Sequence, residues 1–379
     1  MRVCIDATPL LLRSAGVKNY LYYWILHLRK LAGEDSILTF PHGMRMGSLN
    51  HEGSVAGLRS TLGGLAWLHA ANYSGLPVLN WLGRRVDVFH ASQQLRNPPR
   101  NTRLTATLHD LTCWLMPEMH TPANVAAAKQ FAEKVLRRAD GLIAISECTR
   151  SDAVRILGLR PEKIEVVYPG VAEAFFQTTP ATIQAAQEKY GLARPYILFV
   201  GTVEPRKNLA VLLDAYQQLS RGVREEFELV VAGPVGWAER SLIERLRSGA
   251  GGVRYLGYVP ETALPGLTAG ATVFVYPSLY EGFGFPVAQA MAAGVPVVTS
   301  NISSLPEITG GAALLVDPRS VADLGAAIER AVGSPALRAD LTRRGSIKAR
   351  EYGWETCATT ALGFFQKLAG TGGPNLLCY

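Results

Sequence analysis

Residues 272–300 read TVFVYPSLYEGFGFPVAQAMAAGVPVVTS. An apolar run, TVFVYPS, stops at a turn that holds Glu281, two glycines and a proline. The Ala-rich run Phe285–Ala293 follows with helical spacing, and VPVVTS closes the unit as a second apolar run. Strand, turn, helix and strand in that order make a parallel crossover unit. Both runs are continuous rather than alternating, as in strands covered on both faces of a parallel sheet.

The same pattern extends in both directions. In the first half the apolar runs are RVCID (2–6), SILTF (36–40), DVFHA (87–91), LTATLHD (104–110), GLIAIS (141–146) and IEVVYPG (164–170). In the second they are YILFVG (196–201), FELVVAG (227–233), VRYLG (253–257), TVFVYPS, VPVVTS and AALLVDP (312–318). Helical patterns lie between them at Val17–Leu31, Pro122–Arg138, Leu209–Leu219, Glu239–Leu246, Phe285–Ala293 and Val321–Ala331. At 379 residues and 48% hydrophobic, the chain is too long for one core. The expected fold class is α/β: two Rossmann-like, doubly wound parallel-sheet domains, 1–170 and 195–351, facing across a cleft. Residues 170–194 are the expected linker. Ligands of such sheets bind at the carboxyl ends of the strands.

The opening residues, MRVCIDATPL, do not read as a signal peptide, and no stretch of 18 apolar residues suggests a membrane span. Five scattered cysteines without a CxxC pair suit reduced thiols in a cytosolic protein. The net charge of +7 lies wholly in residues 1–170, with 20 Lys+Arg against 13 Asp+Glu. An anionic partner, a phospholipid surface or a phosphorylated acceptor, fits that excess; so does a solvated basic face. Neither an aromatic-basic RNA motif nor a helix-turn-helix signature occurs, so nucleic acid is not an expected partner. Residues 60–83 carry no charged side chain and are flanked by Arg59, Arg84 and Arg85. They either lie on a membrane surface, receive a lipid acceptor, or pack as a helix and loop.

Four strand ends carry candidate chemistry. GTVEPRKN (201–208) opens at Gly201 and puts Arg206 and Lys207 near a helix N-terminus, a place for a diphosphate. In EGFGFP (281–286), Gly282 and Gly284 let the backbone approach a ligand, and Glu281 can accept from hydroxyl groups. His109 ends the strand LTATLHD. Gly16, in SAGVKNY, precedes a helix, so its backbone N–H can meet an anion. There is no GxGxxG and no GxxxxGK[ST], which argues against a nicotinamide dehydrogenase and a P-loop NTPase. There is no D-x-D and no cluster with metal-ligand spacing. Protein cations are therefore expected to neutralise any diphosphate, with no metal or other cofactor.

Together these residues resemble the retaining glycosyltransferases of family 4, which have the GT-B fold. FVGTVEPRKN, VVAGPVGW, YLGYVP, YPSLYEGFGFPVAQAMAAGVPVVTSN and SSLPEI with LLVDP carry the resemblance, supported by the Gly16 loop, HDL, ADGLIAISECTRSD and VVYPGV. EYGWETCATTALGFF looks like the terminal helix (352–379) that joins the first domain in that family. The resemblance implies that Arg206 and Lys207 hold the diphosphate of a nucleotide-sugar donor. Glu281 and the backbone of Phe283, Gly284 and Phe285 would hold sugar hydroxyls and phosphate. Gly16 would approach the diphosphate, His109 the sugar, and Tyr258 would lie near the base; Gly201 belongs to the same donor set.

The family pattern places a second glutamate eight positions after Glu281, where this chain has Gln289. That position serves the ribose, so weaker donor affinity is expected rather than lost chemistry. The resemblance further implies transfer of a hexose with retention, without a metal; no protein nucleophile stands out on the reacting face, which fits a front-face displacement. It favours GDP-mannose over UDP-glucose. The basic first half and residues 60–83 suggest a lipid-linked saccharide acceptor, which fits polysaccharide or O-antigen assembly; a soluble acceptor is the alternative. A cytoplasmic enzyme touching the inner membrane face through its basic domain would result. Two other classes stay open: a non-catalytic sugar-nucleotide binder, and a GT-B epimerase or phosphorylase.

Overall fold

The computed structural model describes residues 1–13, 16–41, 46–49, 51, 53–73, 79–80 and 86–370. It divides into two compact units, Met1–Gly170 with Gly353–Tyr379, and Val171–Tyr352. Each of the twelve apolar runs contains a strand. The first unit holds β1 (Val3–Asp6), β2 (Ile37–Phe40), β3 (Val88–Ala91), β4 (Arg103–Leu108), β5 (Gly141–Ala144) and β6 (Ile164–Val166). The second holds β7 (Tyr196–Val200), β8 (Glu228–Ala232), β9 (Val253–Gly257), β10 (Val273–Tyr276), β11 (Val297–Ser300) and β12 (Ala313–Val316).

Both sheets are parallel throughout, with orders β2-β1-β3-β4-β5-β6 and β12-β11-β10-β7-β8-β9. Strands β1, β3, β5, β8, β10 and β11 are buried at every residue, which is why their sequences do not alternate. Strand order reverses between β1 and β3 in one sheet, and between β7 and β10 in the other. At such a reversal the connecting helices diverge to opposite faces and leave a crevice at the carboxyl ends of the strands.

The segment expected to be a linker is structured. Its Pro180–Tyr190 helix belongs to the second unit, begins with a Thr179–Thr182 capping box and ends on Gly191 in the left-handed conformation. It packs on the Leu264–Ala269 helix so closely that a Cβ at Gly266 would lie 2.3 Å from the Thr182 carbonyl oxygen. The units divide at Gly170/Val171 and at Tyr352/Gly353.

The Trp354–Gly370 helix returns to the first unit, stacking Trp354 on Tyr23 with ring centroids 5.6 Å apart. Its Phe365 meets Trp24 and His90. Residues 371–379 of the expected terminal helix lie outside the described residues. So do 74–78 and 81–83 of the uncharged segment; its residues 60–73 form most of the helix Leu58–Tyr73. Among the described residues no helix is long and apolar enough to cross a membrane.

Candidate active site

The strand reversal in the second unit gathers the charged residues. Arg206 and Lys207 follow β7; Glu281 follows β10. Lys207 Nζ donates to Glu281 Oε1 at 2.6 Å, and Arg206 lies 3.1 Å from Glu281 Oε2. Arg206 also donates to Glu204 Oε1 (2.7 Å) and to the Tyr280 carbonyl (2.6 Å). Glu204 stands 4.0 Å from Lys207 Nζ. Glu204, Lys207 and Glu281 are buried. The two cations are thus balanced by two carboxylates of the protein. Glu204, in the same GTVEPRKN segment, supplies one of the charges, and Glu281 the other.

Glu281 is held from every side. Tyr276 and Ser278 donate to Oε1 at 3.0 and 2.7 Å, its N–H donates to Ser303 Oγ, and Ser304 donates to its carbonyl. Burial alone would raise its pKa, but the Arg206 and Lys207 charges hold it down to about 2. Burial and the adjacent Arg206 pull Lys207 down, against the two carboxylates. An ammonium has three donors, so Lys207 keeps capacity for a further acceptor beside its bond to Glu281. Asn208 makes the tight turn into the next helix possible: it adopts φ 58°, and its amide donates to the carbonyls of Pro277 and Pro318.

The other second-unit candidates surround this cluster in sequence. Gly284 has φ 95° and caps the Phe285–Ala292 helix, and a Cβ there would sit 2.7 Å from Leu305. Phe283 is buried against Phe285 and Tyr352. Gln289 lies half-buried one turn after Phe285 on the same helix. Gly201 donates from its N–H to the Ala232 carbonyl at the end of β8. The β7 and β8 ends approach so closely that a Cβ at Gly233 would meet the Gly201 oxygen at 1.9 Å. Tyr258, after β9, is exposed.

His109 and Gly16 lie in the first unit, at its own strand reversal. A cavity of about 170 Å³ opens at the ends of β1, β3 and β4, lined among others by Asp6, Tyr20, His90, Ser92, Thr107 and His109. Fully buried Asp6 accepts from Thr8 N (3.1 Å), Thr8 Oγ (2.8 Å), Ser92 N (3.3 Å) and Ser92 Oγ (2.6 Å). Those bonds join β1 to the loop after β3. Burial raises the Asp6 pKa against them. His109 packs edge-on against Tyr20, and burial pushes its imidazole down to about 4, against Asp110, so it is neutral at pH 7. Gly16 is exposed at the start of the Gly16–Ala32 helix.

Sequence reasoning passed over Glu204, Tyr276, Ser278 and Asp6. Glu204 was visible as an acid two residues before Arg206. The roles of Asp6 and Tyr276 depend on strand order, which no local pattern encodes.

Residues 182–347 match the model of glycosyl transferases group 1, and residues 14–175 that of glycosyltransferase family 4. The chain is 36% identical over 274 residues to the O-antigen chain mannosyltransferase B of Escherichia coli, covering 72% of each. It is 29% identical over 237 residues to the serotype-specific mannosyltransferase WbdA of Escherichia coli. That match spans 61% of this chain but only 29% of the longer relative. The structure of Anabaena Alr3699/HepE in complex with UDP and glucose superposes with a TM-score of 0.71 at 19% identity, over 97% of this chain and 100% of that one. That likeness is one of fold, the GT-B arrangement of two parallel sheets.

Proposed function

The chain belongs to the family 4 glycosyltransferases, and from that premise we propose that it moves a hexose, with retention, from a nucleotide-diphosphate sugar to a saccharide acceptor. GDP-mannose is the proposed donor, ahead of UDP-glucose, in keeping with the mannosyltransferase names of the relatives. The proposed acceptor is lipid-linked, and the proposed setting is polysaccharide or O-antigen synthesis at the cytoplasmic face of the membrane.

The observation that carries the reading is the cluster of half-buried Arg206 with buried Lys207, Glu204 and Glu281 at the β7/β10 reversal. Two cations fixed by two carboxylates need no reorganisation when charge builds on a leaving diphosphate. The leaving group is then stabilised by the protein itself, and no metal is required. Glu281 acts by holding Lys207 and Arg206 in place, and the backbone at Phe283–Phe285 meets the donor. Gln289 takes the ribose, as a neutral partner. His109 and Gly16 keep the roles the family resemblance implies, contact with the sugar and with the diphosphate.

Incubation with GDP-mannose and with UDP-glucose, in the presence of EDTA and a panel of saccharide acceptors, tests this. The proposal requires release of one nucleoside diphosphate with an α-linked product. A product of inverted configuration, or epimerised donor, would refute it.

A further inference from the structure

A second cavity, of about 280 Å³, adjoins the one that holds His109, within the same unit. The loop that follows β3 is a wall of both, and Gln93 and Gln94 line each. That loop is clamped at its two ends. Ser92 is tied to Asp6, and the Gln94 N–H donates to Ser92 Oγ at 3.2 Å. Further along, the Arg96 N–H donates to Asn72 Oδ1 (2.8 Å), and Asn72 Nδ2 donates back to the Gln94 carbonyl (2.9 Å). Leu95 is buried between. The backbone is therefore fixed, while the side-chain amides of Gln93 and Gln94 are exposed.

The second cavity has an apolar floor, including Leu68 and Phe131, beneath a polar rim. The rim carries His69, Gln130 and the Arg96 guanidinium, which lies 4.8 Å over the Tyr73 ring. No acid lines it. Carboxamides both donate and accept, as sugar hydroxyls do, and an apolar floor suits the C–H face of a pyranose. A diphosphate calls for several fixed cations, and this rim has one, Arg96.

We propose that this cavity is a saccharide subsite: the acceptor's terminal sugar sits in the first cavity, where His109 also meets the donor's sugar, and the second cavity takes the next sugar residue along the acceptor. The acceptor is then an oligosaccharide of at least two residues, gripped along its length, and Tyr73, Gln94 and Arg96 set the preference for it. The subsite takes its role from the transferase reading, but its detection does not need turnover.

The test is direct titration of octyl α-mannoside, and of its 1,2- and 1,3-linked α-mannobiosides, into the full-length protein. Wild type, Tyr73→Ala, Arg96→Ala and Gln94→Ala are compared, with melting temperatures to confirm folding; Gln94 is exposed, so its variant is the safest. One of the disaccharides is expected to bind at least tenfold more tightly than the monosaccharide. The Tyr73 and Arg96 variants are expected to lose that preference and keep the monosaccharide affinity; the Gln94 variant, whose side chain lines both cavities, is expected to lose the preference. Equal affinities in wild type, or a preference the variants retain, overturn the proposal. Displacement of the disaccharide by inorganic pyrophosphate also overturns it, because it would put an anion in the cavity. An intact length preference with no nucleotide-sugar binding would sink the transferase reading and leave the subsite standing.

Discussion

Lys207 and Glu281 are 74 residues apart in sequence and 2.6 Å apart in space, joined across the point where the second sheet reverses its strand order. Buried ion pairs are costly to break, because the survivor is left as an uncompensated charge. Glu281→Gln is expected to lower stability by roughly 3 kcal/mol. A nucleoside diphosphate would replace the missing negative charge. The variant should therefore gain more in melting temperature than wild type does at the same saturating GDP concentration. Thermal unfolding with and without GDP checks this; equal gains would contradict it.

The same carboxylate fixes a pH dependence. Its folded pKa of about 2 lies below the ordinary 4.5, so its contribution is in full above pH 4.5 and disappears as pH falls through about 2. Two histidines of the first unit, His90 and His109, act at higher pH. Burial holds His90 at about 3, with His109 as a second cause, and His109 at about 4, both below the ordinary 6.5. The unfolded chain binds these protons first, so stability falls as pH drops from 6.5 towards 4. With both groups engaged the slope approaches about 2.7 kcal/mol per pH unit. His90→Gln should remove about half of it in urea titrations at pH 6.5, 5.5 and 4.5.

Gln289→Glu should strengthen donor binding. A charge-assisted hydrogen bond contributes about 1.5–3 kcal/mol, against about 1 for a neutral one, so a gain of roughly twofold to thirtyfold is expected at pH 7. Calorimetric titration with GDP-mannose measures it. Unchanged affinity would show that Gln289 does not touch the nucleotide.

Gly233→Ala is expected to be among the most damaging single-methyl changes. The residue has φ 146°, and the new carbon would lie 1.9 Å from the Gly201 carbonyl oxygen. Backbone cannot swing aside as a side chain can, and the strand ends that carry Thr202–Lys207 would separate. A loss of roughly 3 kcal/mol or more is expected in denaturant unfolding.

All twelve strands were legible, because buried parallel strands are written as continuous apolar runs. The helix Phe285–Ala292 was legible between two of them. The helix Pro180–Tyr190 was not: PATIQAAQEKY buries only Ala186 and reads as polar, although Thr179 and Gly191 mark its ends. The helix Leu58–Tyr73 leaves Leu58, Leu62, Trp67 and Tyr73 exposed, so its apolar residues trace no single buried face. Arg206, Lys207 and Glu281 could be picked out one by one from glycine turns and charge. Their pairing could not, since it depends on β7 and β10 lying side by side. Asp6 stood in plain view, but Ser92 becomes its partner only through the β1–β3 neighbourhood.

The central claim is that the protein's own cations hold the donor diphosphate. Titration of GDP-mannose and UDP-glucose into wild type and Arg206→Ala, both in EDTA, tests it most directly, with turnover measured on the same samples. Wild type is expected to bind one donor without metal, and Arg206→Ala to lose roughly a hundredfold or more in turnover, the scale of removing one preorganised donor to a developing charge. Wild-type turnover in Arg206→Ala, or donor binding that appears only when a divalent cation is restored, would contradict the account.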